Sequence, residues 1–329
     1  MTSRSLVLLL LVLGLLSPPF APSAIAQTPV PRGATPTPAL PATIDDVDGV
    51  AVEITDISRI IPLNGNVAET IYALGLSANI VATDLSALYP PEVIDLPKIG
   101  YQSQLSVESI LSYEPTLVMG AEDAGPPEAI DQLRNAGVTV LILPQSNSAE
   151  GAVAEIRAIG TALGVPAAGD AIATNVEQTI GEAQALSASI EPRARVAFLY
   201  VRGAGTQLIA GSNNQADAVV SAAGAINVGA EIGIQGYKPI TPEALVQAAP
   251  DIILVLQMGL ETTGGLDALL AIPGVAQTPA AESGNIVAFD DLYLLGFGPR
   301  IGDAIYDLTL AFYPEIKLPS KHPEWQGTS

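Results

Sequence analysis

Residues 167–190 read "AAGDAIATNVEQTIGEAQALSASI". Apolar residues fall at 172, 176, 180, 183, 186 and 190, the three-to-four spacing that lays one stripe along a helix. No proline interrupts the stretch. At 1.5 Å per residue such a helix runs roughly 35 Å, about the width of a small domain. It reads as a stiff connector, so the fold turns on what lies at its two ends.

On the N-terminal side, strands and helices alternate. "SRIIPL", "NIVATD", "TLVMG" and "VTVLILP" read as strands. "NVAETIYALGL", "SVESILSYEP" and "PPEAIDQLRNAG" read as helices, the second capped by Ser106 and the third closed by Gly137. On the C-terminal side the rhythm returns: "RVAFLYV" and "TQLIAG", then "NQADAVVSAAGA", "TPEALVQAAP", "DIILVL", "GNIVAFD" and a last helix from about 301 to 312. Short connections between alternating strands and helices imply mainly parallel sheets covered by helices. The expected fold is α/β: two Rossmann-like lobes joined by one long helix, with a ligand cleft between them.

The two lobes share a written unit. "GYQSQLSVESILSYEPTLVMG" starts at Gly100, and "GYKPITPEALVQAAPDIILVL" starts at Gly236. Glu108 matches Glu243 and Pro115 matches Pro250. Further out, residues 1–26 read as a secretory signal: Arg4, an 11-residue apolar run from Leu6 to Leu16, and a small-x-small site at Ala24-Ile25-Ala26. Residues 27–50 form a Pro-rich leader, with folded sequence expected from near Val52. Residues 51–145 make the first lobe, 146–190 the helical connector, 191–318 the second lobe and 319–329 a polar tail.

Composition narrows the function. The 329 residues carry a net charge of −21, which disfavours nucleic acid and anionic membranes as partners. With no cysteine there is no disulfide, thiolate metal site or cysteine-linked lipid. One histidine is too few for a zinc or manganese site of the usual kind. "GAGTQL" at 203–208 lacks the third glycine of a dinucleotide fingerprint, and no G-x-S-x-G or H-E-x-x-H is present. The chain does not read as an enzyme. An exported monomer, not inserted in a membrane, is expected.

Three pieces carry a family resemblance: "YPPEVIDLPKIGYQSQLSVESILSYEPTLVMGAEDAGPPEAIDQLRNAGV", "GYKPITPEALVQAAPDIILV" and "LYLLGFGPR". Over about residues 55–315 the chain resembles the haemin-binding proteins of bacterial ABC haem importers. These belong to the periplasmic-binding-protein class whose lobes are bridged by one long helix. The resemblance implies a carrier that captures ferric haem and hands it to an ABC permease and its ATPase. Alternatives are a ferric-siderophore or corrinoid carrier on the same fold, and haem sensing or storage without transport.

Ferric haem takes axial ligands from His, Met, Cys or Tyr. His322 lies in the polar tail, and Met119 and Met258 end apolar strands and read as core. That leaves the tyrosines, whose phenolate is a hard anion suited to Fe(III). Tyr72, Tyr113, Tyr306 and Tyr313 read as packing or surface residues. In the resembled family the tyrosine of a "GY-x-R" string ligates haem, and Tyr101 falls on it, but Ser103 replaces the arginine. "FLYVRG" offers Tyr200 and Arg202, two apart on one side of a strand, where a guanidinium favours the ionised phenol. Relatives that place such a pair opposite a first-lobe histidine would put Tyr101 at that histidine's position. Tyr200 with Arg202 is therefore the expected principal pair, with Tyr101 across the cleft as second ligand or lid. The other reading of Tyr200 is a buried strand tyrosine. Tyr237, the repeat partner of Tyr101, is expected at the cleft rim. Lys238 and Arg300 are candidates for the propionates, Tyr89 is a weaker contact, and "LYLLGFG" is either an apolar wall or an ordinary strand and turn. Glu108, Glu243 and Glu69 are candidates for permease docking; acids also favour helix first turns for electrostatic reasons alone.

Overall fold

The structure, a computed structural model, describes residues 36–145, 147–203 and 205–328. The first lobe contains β1 (Ala42–Asp45), β2 (Ala51–Ile54), β3 (Ile60–Pro62), α1 (Gly65–Ala73), α2 (Val107–Leu111), β4 (Leu117–Ala121), α3 (Pro127–Asn135) and β5 (Thr139–Leu143). β3, β4 and β5 form a parallel sheet in that order, with β4 buried along its whole length. Then come α4 (Ala149–Ala162) and α5 (Pro166–Ser187).

The second lobe holds β6 (Arg195–Arg202), β7 (Thr206–Ala210), α6 (Gln215–Ala222), β8 (Ile226–Asn227), α7 (Val228–Glu231), β9 (Tyr237–Lys238), α8 (Pro242–Ala248), β10 (Ile252–Leu256), α9 (Gln257–Thr263), α10 (Leu266–Leu270), α11 (Pro279–Ser283), β11 (Ile286–Phe289), α12 (Asp291–Leu295), α13 (Ile301–Phe312) and β12 (Gln326–Thr328). Its sheet runs β12-β11-β10-β6-β7-β9, with β8 beside β6. β11, β10, β6 and β8 are parallel, whereas β7, β9 and β12 pair antiparallel, so this sheet is mixed.

The connector is the helix its spacing demands. α5 starts on Pro166, where a missing N–H costs nothing, and buries Ala173, Val176, Ile180 and Ala183. Its 22 residues span about 33 Å. α4 lies against it through two glycines: a Cβ on Gly160 would sit 2.7 Å from the Gly169 Cα. Among the described residues, no helix is long and apolar enough to cross a membrane.

Three local expectations are corrected. The leader contributes a strand, because Asp46 closes a hairpin between β1 and β2. Its Oδ1 accepts from Asp48 N and Val50 N, each at 3.0 Å, and its Oδ2 meets Arg134 at 3.0 Å. "NIVATD" is not a strand. Its backbone bonds go first to Ile60 and then to the 97–100 loop, so only isolated bridges form. The "LYLL" of "LYLLGFG" is helical, since Asp290 caps α12 by accepting from Tyr293 N at 2.8 Å. Beyond these, the structure shows the polar tail docked on the second lobe. β12 pairs with β11, and His322 N donates to Asp307 Oδ2 at 2.9 Å. The His322 ring lies 3.2 Å from Asp303 and 3.0 Å from Glu324. The bond to Asp303, opposed by burial and aided by Glu324, raises its pKa above the ordinary 6.5. The signal-peptide reading of 1–26 falls outside the described residues.

Candidate functional site

A cavity of about 520 Å³ opens between the lobes. Its first-lobe wall carries Asn64, Asn66, Leu88, Tyr101, Gln102 and Asp123, with Glu155 of α4 beside them. The opposite wall carries Tyr200, Arg202, Met258, Asp291, Leu292, Leu295 and Phe297.

Tyr101 stands at the end of the loop from Gly100, whose φ of +95° turns the chain, and is 59% exposed. Tyr200 and Arg202 share one side of β6, as the two-residue strand period requires. The Arg202 guanidinium carbon sits 5.2 Å from the Tyr200 ring centroid. Arg202 also pairs with Asp291, whose other oxygen accepts from Met258 N at 3.1 Å. The cation beside the phenol is thus itself steadied by a carboxylate. Tyr101, Tyr200 and Arg202 all line one cavity.

The remaining candidates sit elsewhere. Tyr237 packs edge-on behind Tyr200, centroids 5.7 Å apart, and is not a cavity residue. Burial, with Tyr200 adding, pushes its phenol up to about 12, so it stays protonated. Lys238 is exposed on β9, away from the cavity. Arg300 is 7% exposed and donates to both oxygens of Glu69, at 2.8 Å each. Tyr89 covers the same guanidinium at 3.6 Å. Glu69 is 4% exposed. These contacts correct three expectations: Arg300 is not a free cation for propionates, Tyr89 is not a cavity contact, and Glu69 cannot dock a partner. The pair instead ties α1 of one lobe to the start of α13 in the other. Glu108 and Glu243 are exposed in the first turns of α2 and α8.

Several cavity residues escaped the sequence reading. Met258 is 43% exposed at the start of α9 and is not core, whereas Met119 is fully buried. Asp123 accepts from Asn64 Nδ2 at 2.9 Å and from Gln102 Nε2 at 3.0 Å. Glu155 is 6% exposed, with Oε1 accepting from Asn66 Nδ2 at 2.9 Å. Burial, with Asp123 adding, pushes its carboxyl up to about 7. Its signal was present: an acid set on the apolar stripe of Ala152, Ile156 and Ile159. Leu292, Leu295 and Phe297 do form an apolar wall, but Tyr293 turns inward and donates to Asp307 at 2.9 Å.

Two α/β lobes, one bridging helix and a lined cavity between them define a two-lobed ligand-binding protein. The chain belongs to the periplasmic binding protein family, whose model matches residues 60–293. It is 48% identical to the periplasmic heme-binding protein RhuT from Roseiflexus sp. RS-1, with a TM-score of 0.77, over 79% of this chain and 99% of that one. Other solved periplasmic heme-binding proteins align over most of the chain. An uncharacterised ABC transporter substrate-binding lipoprotein of Bacillus subtilis, YvrC, is 26% identical over 85% of this chain and 88% of its own. A vitamin B12-binding protein of Vibrio cholerae is 24% identical over 59% and 69%.

Proposed function

We propose that this protein captures ferric haem in the interlobe cavity, outside the cytoplasmic membrane, and delivers it as a monomer to an ABC permease and its ATPase. The observation that carries the reading is the meeting of Tyr200, Arg202 and Tyr101 from opposite lobes in one cavity. Identity of 48% to a heme-binding structure supports it. Tyr200 supplies the phenolate to iron, and Arg202 stabilises that anion. Tyr101, exposed and lacking a cationic neighbour two residues on, closes over the other face. The phenyl and leucyl wall of Leu292, Leu295 and Phe297 takes the apolar macrocycle. Glu108 and Glu243, related by the repeat, present one acid from each lobe to a two-fold permease.

Titration of the purified protein with haemin tests the reading. A tyrosinate-to-iron charge-transfer band in the red is expected, with saturation at one or two haems. No spectral change with haemin, alongside tight binding of a ferric siderophore or cobalamin, would reject it.

A further inference from the structure

Three buried polar atoms around the cavity have no hydrogen-bond partner within the protein: Glu155 Oε2, Gln102 Oε1 and Arg202 Nη1. Polar atoms buried unpaired are costly, so three in one cavity mark where a ligand completes the bonding. Arg202 is explained by the reading above, and the Gln102 amide is already tied to Asp123 through Nε2. Glu155 is the unexplained member. It sits on α4, nine-tenths buried, beneath a cavity whose other wall holds Tyr200.

The chemistry of Glu155 is set by its neighbours. Oε1 already accepts from Asn66, so the free oxygen is Oε2. Burial and the Asp123 carboxylate both favour the protonated acid. A buried acid of this kind donates an O–H bond, and its best acceptor is a carboxylate, which gives a short charge-assisted bond. The apolar wall takes a macrocycle; the acid takes an anionic substituent on its edge.

We propose that Glu155 is a specificity-determining residue that donates a hydrogen bond from Oε2 to a carboxylate on the edge of the bound tetrapyrrole. The inference rests on the haem reading and deepens it: it selects a ring bearing free carboxylates over one whose substituents are esters or amides.

Dissociation constants for haemin and for haemin dimethyl ester, measured on the full chain and on Glu155→Leu and Glu155→Gln, test it. The unmodified protein favours haemin by roughly tenfold or more, the size expected of a charge-assisted hydrogen bond. Glu155→Leu cancels that preference, and Glu155→Gln, whose amide N–H still donates, recovers most of it. Equal weakening of both ligands in Glu155→Leu, or an unchanged preference, overturns the assignment and leaves haem binding intact. Binding of neither haemin nor its ester by the unmodified protein overturns the haem reading, and the assignment falls with it. If Glu155→Leu does not fold, the unmodified protein decides alone, because a ratio near one overturns the proposal.

Discussion

Replacing Glu69 by leucine would take from buried Arg300 the carboxylate that accepts two of its hydrogen bonds, while the more weakly coupled Asp290 remains. The guanidinium is 7% exposed and makes two 2.8 Å bonds to that one carboxylate, 231 residues away in the chain. Removing one partner of such a pair costs about 3–5 kcal/mol, because the hydrogen-bonded carboxylate that offset the survivor's desolvation is gone. In a domain of this size that lowers Tm by on the order of 10 °C. The double variant Glu69→Leu/Arg300→Met removes both charges while keeping volume under the Tyr89 ring. It should lie within about 1–2 kcal/mol of the parent protein, because buried ion pairs are often replaceable by apolar groups. Urea unfolding of the parent, both single variants and the double variant closes the cycle. A coupling of about 2 kcal/mol or more is expected from residues in direct contact. If Glu69→Leu shifts the midpoint negligibly, or if the two single losses simply add in the double variant, the ion pair does not hold the lobes together.

Tyr200→Phe keeps the ring but removes the oxygen, so the charge-transfer band should vanish while the melting temperature stays close to the parent's. Tyr101→Phe should weaken the band far less; the reverse order would assign the iron to the first lobe. His322, whose pKa is raised chiefly by Asp303, binds its proton more tightly folded than unfolded. Its stabilisation is therefore complete below 6.5 and lost as pH rises through the folded value. Melting curves across that range should fall with pH in the parent and less steeply in His322→Gln, the remaining slope coming from the buried Glu155, whose carboxyl is also pushed up, to about 7. Scattering with and without haemin should show little change in radius of gyration, because α5 and the Glu69–Arg300 tie both oppose lobe closure.

Features with a local cause were legible in the sequence. α5 announced itself by a proline-free 3.6-residue period, and α13 begins and ends where the pattern put it. Tyr200 and Arg202 could be paired in advance because a strand fixes where residues two apart point. What escaped depends on partners distant in the chain. Nothing near Glu69 or Arg300 writes their pairing. Asp291, which steadies Arg202, sits 89 residues beyond it. β1 looked like leader because its ladder partner and the Asp46 turn, rather than its own residues, make it a strand. Met258 follows an apolar strand and so read as core, yet the chain turns into α9 there and turns it outward.

The glycine contact between α4 and α5 bears on how the molecule comes apart. Ile159 and Ala162 of α4 belong to the first lobe's core, while Ala152, Val153 and Ile156 of the same helix belong to the core of the second. α13 packs on that helix pair in turn, with Gly302 set against Val176 and Thr179 of α5. Neither lobe can lose this shared layer without stripping apolar surface from the other. The lobes, separate to a ligand, are therefore expected to unfold as one cooperative unit: a single transition in heat or denaturant, followed by signals from both lobes, is what this shared layer predicts.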